Sequence, residues 1–284
     1  MPLLLVPTPL GNLRDITLRS LDALRDAQIV VAEDTRVARK LLAALGIGTK
    51  ECWSYREQNA AGVTDGILER ARAGNVVLVT DAGMPGISDP GCALVAAARA
   101  AGIAVEVLPG PSALLGAAVL SGFDLRRFLF EGFVPRTQRD RREALSRALS
   151  GGITTIWYES PKRIHATLAD LDELAPDAQV FVLREYTKLY EQQILGPPAA
   201  VAAGLELPVR GEIAFVLAPL VRTSTPPAPT QAEIDGRIDA CLAQGRSVAD
   251  IARSLAQAGC GDRRTLYARA SERKSRARQG RPVG

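Results

Sequence analysis

The segment VTDAGMPGISDPG, residues 79–91, contains three glycines, two prolines and two aspartates, but no lysine or arginine. It follows an apolar run, and glycine-rich loops that follow a strand most often hold phosphate groups. Asp81 and Asp89 would repel a phosphate and attract a cation. The segment therefore favours a cationic or zwitterionic ligand over a polyanion.

Two other loops rich in glycine and proline follow apolar runs: VPTPLGN at residues 6–12 and LPGPSA at residues 108–113. No G-x-G-x-x-G sequence opens a helix after the first run, and the chain has no G-x-x-x-x-G-K-[ST] sequence. These absences disfavour NAD and ATP. S-adenosylmethionine (SAM), a sulfonium that carries adenosine, fits the pattern of charge.

The first 122 residues alternate short apolar runs with helical patterns, which predicts βαβ units and a largely parallel sheet. The predicted strands cover 3–6, 28–34, 75–81 and 103–110, and the predicted helices cover 17–27, 36–46 and 90–102. Ligands of open α/β sheets bind at the carboxyl ends of the strands. The three loops lie at these ends, so we expect them to form one site.

A second α/β domain is predicted from about residue 124, and its consecutive apolar runs favour a mixed sheet. Its predicted strands cover 127–133, 154–160 and three runs within 179–219, and its predicted helices cover 137–149 and 162–174. The predicted domains are 1–122, 123–222, a proline-rich linker over 223–230, and a helical segment with a basic tail over 231–284. A helix, a turn and a second helix are expected within 247–272.

The positive charge of the chain is concentrated at its end. Residues 261–284 hold eight arginines or lysines and two acidic residues, whereas the net charge of the whole chain is +4. This tail suits contact with a nucleic acid backbone or a solvated end. Four cysteines without a C-x-x-C pair and a single histidine, His165, predict neither a metal site nor a disulfide. Without a signal peptide or membrane span, we expect a cytoplasmic protein with no membrane partner.

Seven motifs lie in a fixed order over about residues 1–220: VPTPLGNLRDIT, AEDTR, TDAGMPGISDPG, LPGPSA, FEGFVPR, YESPKR and REYTKLYE. In this order they resemble the ribosomal RNA small subunit methyltransferase I family, a SAM-dependent group of the tetrapyrrole-methylase type. The resemblance implies a protein of two α/β domains, usually a homodimer, with SAM in the cleft between them. The implied reaction is 2′-O-methylation of a cytidine in small-subunit rRNA, either as free rRNA or in the assembled 30S subunit.

The resemblance also implies which residues bind SAM. They come from the three loops and from the second domain, around Tyr158 and from RGEIAFVL at residues 210–217. The expected cofactor-binding residues are Pro9, Gly11, Thr80, Asp81, Ala82, Gly83, Met84, Pro85, Ile87, Pro109, Gly110, Ser112, Ala113 and Tyr158.

Methylation of a ribose hydroxyl needs an acceptor for the hydroxyl proton, because the protonated hydroxyl is a poor nucleophile. AEDTR offers Glu33 and Asp34 as acceptors and Arg36 to orient them or bind phosphate. The resemblance implies that Asn12 lies near the reacting atoms. Asp34 also suits the N-cap of the next helix. Lys188 suits a proton acceptor if it is desolvated, and a salt-bridged surface residue otherwise.

Four basic residues are expected to bind RNA: Arg56, Lys162, Arg163 and Arg184. Lys162 and Arg163 begin a predicted helix, where the helix dipole disfavours cations, so their placement favours phosphate binding. The arginines of residues 136–147 suit either RNA contact or an exposed helical face. Two other functions stay open: a tetrapyrrole methyltransferase of the same fold, and a nucleic-acid-binding regulator that uses the terminal helices.

Overall fold

The computed structural model describes residues 2–220 and 230–279. The chain forms two compact units, Met1–Leu220 and Val221–Gly284. The first unit contains two five-stranded sheets, and the second is helical. The predicted α/β fold with a helical C-terminal segment is confirmed.

The first sheet is parallel throughout, as predicted, with the strand order β3-β2-β4-β1-β5. Its strands are β1 (Leu3–Leu5), β2 (Ile29–Ala32), β3 (Glu51–Ser54), β4 (Val76–Val79) and β5 (Val105–Val107). The helices between them are α1 (Leu18–Asp26), α2 (Thr35–Ala44), α3 (Ala60–Ala73) and α4 (Cys92–Ala100). Every residue of β2 and β4 is buried, because helices cover both faces of the sheet.

The sequence-based prediction missed strand β3 of this sheet and helix α3, which packs against the sheet. Edge strand β3 is only partly buried, and α3 contains Gly62 and Gly66, so neither carries a strong apolar pattern. Gly66 is useful where it lies, since an added Cβ would come within 3.3 Å of the Trp53 ring. The packing of Trp53 against α3 therefore explains a glycine that weakens the helical signal.

The second sheet is mixed, as predicted, with the order β6-β7-β10-β8-β9 and one parallel pair, β6 with β7. Its strands are β6 (Phe128–Phe133), β7 (Thr154–Glu159), β8 (Val180–Arg184), β9 (Gln192–Gly196) and β10 (Ile213–Leu217). The helices of this region are α5 (Ala113–Ser121), α6 (Gln138–Ser150), α7 (Ile164–Leu174) and α8 (Pro198–Gly204). The short helix α8 separates β9 from β10, which the sequence analysis treated as consecutive strands.

The C-terminal unit consists, within its described residues, of α9 (Gln231–Ala243), α10 (Val248–Gln257) and α11 (Arg263–Gln279). The predicted helix-turn-helix corresponds to α10 and α11, and α9 lies within the predicted helical segment, although its bounds were not predicted. Arg269 and Arg273 of the basic tail pair with Asp235 and Asp239 of α9, so part of the tail's charge is neutralised within the unit. Residues 223–229 of the predicted linker and 280–284 of the tail lie outside the described residues. No helix among the described residues is both long and apolar enough to span a membrane.

A buried ion pair joins α6 to α7. Arg141 Nε donates to Asp170 Oδ2 at 2.6 Å, and Gln138 Nε2 donates to Asp170 Oδ1 at 3.1 Å. The side chains of Arg141 and Asp170 are only 8% and 3% exposed. Arg142 also pairs with Asp170, and Arg147 pairs with Glu143. These three arginines of α6 are thus engaged within the protein.

We predict that Asp170→Ala lowers the free energy of unfolding by about 3–5 kcal/mol, because it leaves the Arg141 guanidinium buried without a partner. Glu143→Ala, which removes an exposed pair, should change it by about 0.5 kcal/mol or less. Burial raises the pKa of Asp170, but hydrogen bonds from Gln138 and Arg141 outweigh it and hold the pKa below its ordinary value. The stability that ionised Asp170 contributes should therefore be lost only as the pH falls below 3.8 through the depressed pKa of the folded state. Chemical denaturation measures both effects, and equal losses in the two variants would contradict the prediction.

Candidate functional site

The loops after β1 and β4 are joined by main-chain hydrogen bonds. Thr8 N donates to Gly83 O and Gly83 N donates to Thr8 O, both at 2.9 Å, and Thr8 Oγ1 donates to Thr80 O at 3.1 Å. Gly83 has φ +82, a left-handed conformation that favours glycine. The loop after β5 packs equally closely, since a Cβ on Gly110 would lie 2.7 Å from Pro7 Cβ. The three predicted loops therefore form one surface at the carboxyl edge of the sheet.

A cavity of about 270 Å³ lies between these loops and the second sheet. Seven of the fourteen predicted cofactor-binding residues line it: Ala82, Gly83, Met84, Ile87, Ser112, Ala113 and Tyr158. The other seven lie in the same loops without lining it: Pro9, Gly11, Thr80, Asp81, Pro85, Pro109 and Gly110. The region of the second sheet contributes Glu159, Ser160 and Pro161, together with residues 211–214 of the segment RGEIAFVL.

Five lining residues were not singled out from the sequence: Leu10, Ser88, Phe133, Leu183 and Tyr186. Each lies within or beside one of the seven motifs. Their position in the motifs was therefore the signal that could have identified them as residues of the site. Their direction towards the cavity depends on how the two sheets face each other, which no local pattern contains.

The charged residues that line the cavity are all acidic: Asp89, Glu159 and Glu212. Glu159 is neutralised by Arg163 at 2.6 Å and accepts a hydrogen bond from Thr167 Oγ1 at 2.8 Å. Glu212 pairs with Lys188 Nζ at 3.0 Å. Asp89 has no ion-pair partner among the described residues. The charge of Asp89 therefore suits a ligand with positive charge.

The carboxylates near Asp89 affect one another. Burial raises the pKa of Glu33, and the negative charges of Asp89 and Asp81 raise it further. Burial likewise raises the pKa of Asp81, which accepts a hydrogen bond from the main-chain nitrogen of Asp34 at 3.2 Å. No group of three or more histidine, cysteine, aspartate or glutamate side chains that could hold a metal ion occurs among the described residues.

The predicted catalytic residues have different environments. Asp34 accepts hydrogen bonds from the Arg36 side chain and main chain, which hold its pKa well below its ordinary value, and it caps α2. Asn12 caps the short helix Leu13–Asp15 by accepting from Arg14 N. Burial lowers the pKa of Lys188, but hydrogen bonds to Glu185 and Glu212 outweigh it and raise the pKa. Lys188 thus matches the salt-bridged alternative.

Glu33 differs from these residues. Its carboxylate makes no hydrogen bond or ion pair among the described residues, whereas its main-chain oxygen accepts from Ser54 Oγ and Arg56 Nε. Together with Gln58 and Asn59, Glu33, Ser54 and Arg56 line a shallow polar depression. Among the predicted acceptors, Glu33 is the carboxylate with both a raised pKa and no bound cation.

The four predicted RNA-binding residues also differ in exposure and in their partners. Arg163 is turned inward, where it binds Glu159 and donates to the main-chain oxygens of Val134 and Pro135. Arg184 Nε donates to Arg210 O at 2.7 Å. Arg56 is half exposed but lies beside Glu33 and Asp34. Lys162 is exposed and has no hydrogen-bond or ion-pair partner among the described residues.

The chain is similar to known proteins over nearly its whole length. The family described as Tetrapyrrole (Corrin/Porphyrin) Methylases matches residues 2–200. Proteins named ribosomal RNA small subunit methyltransferase I are 39% identical in Synechocystis sp. (93% of this chain, 95% of the relative) and 41% identical in Thermotoga maritima (76% and 97%). The relative of that name in Mesorhizobium japonicum is 37% identical over 98% of this chain and 94% of its own length.

Two solved structures share the fold. A diphthine synthase has a TM-score of 0.58 at 17% identity and covers 77% of this chain and 90% of its own. Uroporphyrin III C-methyl transferase from Thermus thermophilus has a TM-score of 0.54 at 22% identity and covers 78% and 99%. At these identities the likeness concerns the arrangement of the elements alone.

We predict that Asp89→Asn stabilises the fold at neutral pH, because burial and the nearby charges of Asp81 and Glu212 raise the pKa of Asp89. An acid with a raised folded pKa takes up its proton more readily in the folded state, so its ionised form is destabilising. The advantage of the variant should shrink as the pH falls through the raised pKa towards the ordinary value of 3.8.

Denaturant midpoints measured across this pH range test the prediction. Asp65→Asn is the control, because it removes a carboxylate at an exposed position of α3 that does not line the cavity. A lower midpoint for Asp89→Asn at neutral pH would show that the charge stabilises the fold and would contradict the prediction.

Proposed function

This chain belongs to the tetrapyrrole (corrin/porphyrin) methylase family and, within it, to the ribosomal RNA small subunit methyltransferase I family, and from that premise we propose that it transfers the methyl group of SAM to a cytidine 2′-hydroxyl of small-subunit rRNA. The observation that carries the proposal is the acidic lining of the cavity at the carboxyl edge of the parallel sheet. The relatives' names supply the rRNA substrate, and the resemblance supplies the position of methylation.

The residues of the cavity fit SAM. Its volume is close to the lower end of typical small-molecule pockets, about 300–1,000 Å³. Main-chain groups of residues 82–84 and 112–113 would hold the adenosine, and the acidic lining suits the sulfonium. Burial raises the pKa of Tyr158 to about 12, so its hydroxyl remains a hydrogen-bond donor at neutral pH. When bound, SAM supplies an electrophilic methyl group.

The protein's own contribution to the reaction is to position the ribose and to accept its proton. Alignment of two reactants can supply about 7–11 kcal/mol of the reduction in the barrier. We propose Glu33 as the proton acceptor, because a carboxylate with a raised pKa is a stronger base and this one is not occupied by a cation. Asp34 and Arg36, which bind each other, would shape the loop that carries Glu33.

The test of the proposed function uses the protein, SAM labelled in its methyl group, and small ribosomal subunits from cells that lack this modification. Label should enter the rRNA at one cytidine, and the product should resist alkaline cleavage at that position because its 2′-oxygen is blocked. Free rRNA in a parallel reaction distinguishes the two substrate forms. Methylation of a tetrapyrrole without methylation of RNA would overturn the proposal. The predicted homodimer stays a prediction, and sedimentation of the purified chain tests it.

We predict that Gly83→Val weakens SAM binding about ten-fold or more in calorimetry, since an added Cβ would lie 3.0 Å from Leu10 Cδ2 in the cavity wall. Gly46→Val is the matched control, because Gly46 also has a positive φ of +67 but has no atom within 4 Å of its added Cβ. Both variants carry backbone strain, and only Gly83→Val should lose affinity. Equal affinities in two folded variants would count against the loop as the SAM site.

We predict that Glu33→Gln lowers kcat about 10²- to 10⁴-fold and leaves SAM affinity within about two-fold, as expected when a proton acceptor is removed. In the wild type, the raised pKa of Glu33 should make kcat fall with decreasing pH at a higher pH than an ordinary carboxylate would. Glu57→Gln, on an exposed residue nearby, is the control. An unchanged kcat and pH profile in Glu33→Gln would assign the proton to another acceptor.

A further inference from the structure

Phe133, at the end of β6, is an aromatic residue that lines the cavity and yet is 56% exposed. We propose that Phe133, Arg136 and Lys162 form a docking surface for single-stranded RNA, in which one nucleobase stacks on Phe133 and adjacent phosphates bind the two cations. This inference rests on the proposed function and assigns the surface through which the RNA substrate reaches the cavity. We call these three residues the mouth surface.

The main chain around Phe133 is held on both sides. Val134 N donates to Tyr158 O at 3.1 Å, and Arg163 donates to the oxygens of Val134 and Pro135 at 3.1 and 3.2 Å. The Phe133 ring meets Tyr158 at an angle of 64° with centroids 5.6 Å apart. One side of the ring is therefore packed and its position is fixed. A large exposed aromatic ring in a rigid frame is an uncommon surface feature that suits stacking with a base.

Arg163 also joins the two chain segments that carry these cations. Lys162 precedes Arg163 in the chain, and Arg136 follows the two carbonyl groups that Arg163 binds. Both cations are exposed and have no hydrogen-bond or ion-pair partner among the described residues. By contrast, Arg141, Arg142 and Arg163 are neutralised by carboxylates. Arg136 and Lys162 thus keep charges that a polyanion could bind, on the two segments that Arg163 joins at the end of β6.

The distribution of charge gives the RNA a direction. Within the cavity the charged lining is acidic, which repels phosphate groups, and at the mouth surface the free charges are positive. A strand bound there would keep its phosphates at the mouth and turn sugar and base inward. Stacking on an aromatic side chain requires a base that is not paired in a duplex, so the ligand is single-stranded RNA or an unpaired loop.

The first test measures equilibrium binding of a fluorescent single-stranded RNA oligonucleotide with small-subunit rRNA sequence, in the presence of SAM. Phe133→Ala should weaken binding about 5- to 150-fold, the range for loss of one stacked base. Phe133→Trp should bind as well as the wild type, and Phe133→Leu should bind weakly, because it keeps apolar area but has no ring. Phe128→Ala is the control: Phe128 is 40% exposed at the other end of the same strand and does not line the cavity.

The second test varies the salt concentration. Lys162→Ala and Arg136→Ala should each weaken RNA binding and reduce the slope of log K against log salt by about one, as expected for loss of one phosphate contact. Arg147→Ala, which removes an exposed arginine at the far end of α6, should leave the slope unchanged. In steady-state assays, Phe133→Ala should raise KM for the rRNA substrate with little change in KM for SAM.

The outcomes separate this inference from the proposed function. If the wild type neither binds SAM nor methylates RNA, the proposed function fails, and the inference fails with it. If the wild type methylates RNA and Phe133→Ala matches it in RNA affinity and KM, the inference alone is overturned. A change of oligomeric state in Phe133→Ala with unchanged RNA affinity would assign the ring to a contact between copies, and would overturn it as well.

Discussion

The burial of carboxylates at one edge of the first sheet is the constraint on which the candidate site depends. Burial raises the pKa of Glu33, Asp81 and Asp89, and the negative charge of nearby carboxylates raises the pKa of each further. Such an arrangement costs folding free energy when no ligand is present, and a bound cation would offset the cost. The loops tolerate it because main-chain hydrogen bonds, including those between Thr8 and Gly83, fix them independently of any charged side chain.

Around the second sheet, the described positive charges fall into two groups: those neutralised within the protein and those, such as Lys162, that have no partner among the described residues. The neutralised group includes Arg141, which pairs with Asp170 between α6 and α7, and Arg163, which binds Glu159 and the main chain at the end of β6. These arginines fix the positions of cavity and mouth, and their charge is no longer available to a phosphate. Counting basic residues in a sequence therefore overestimates the surface that can bind RNA, because pairing is decided by the fold.

The sequence predicted best what depends on local pattern. The buried strand β4, whose four residues are all aliphatic, and the mixed character of the second sheet follow from periodicity and turn residues. Edge strand β3, the glycine-containing helix α3 and the short α8 carry weak patterns and were missed. Within the site, the loop residues 82–84 were anticipated, whereas Phe133 and Tyr186 required knowledge of how two sheets face each other. The inward turn of Arg163 could not be predicted, since its partners lie up to 29 residues away.

The approach of the two sheets depends on glycine. A Cβ on Gly11 would overlap the Lys188 side chain, and one on Gly116 would overlap the Tyr186 ring. Lys188 in turn holds Glu185 and Glu212, and Glu212 lines the cavity. The lack of a side chain at these two glycines thus lets the segments pack closely and helps to fix the position of Glu212 in the cavity wall. These contacts join atoms of the protein itself, so the packing of Gly11 and Gly116 against Lys188 and Tyr186 helps to define the cavity wall that a ligand would meet.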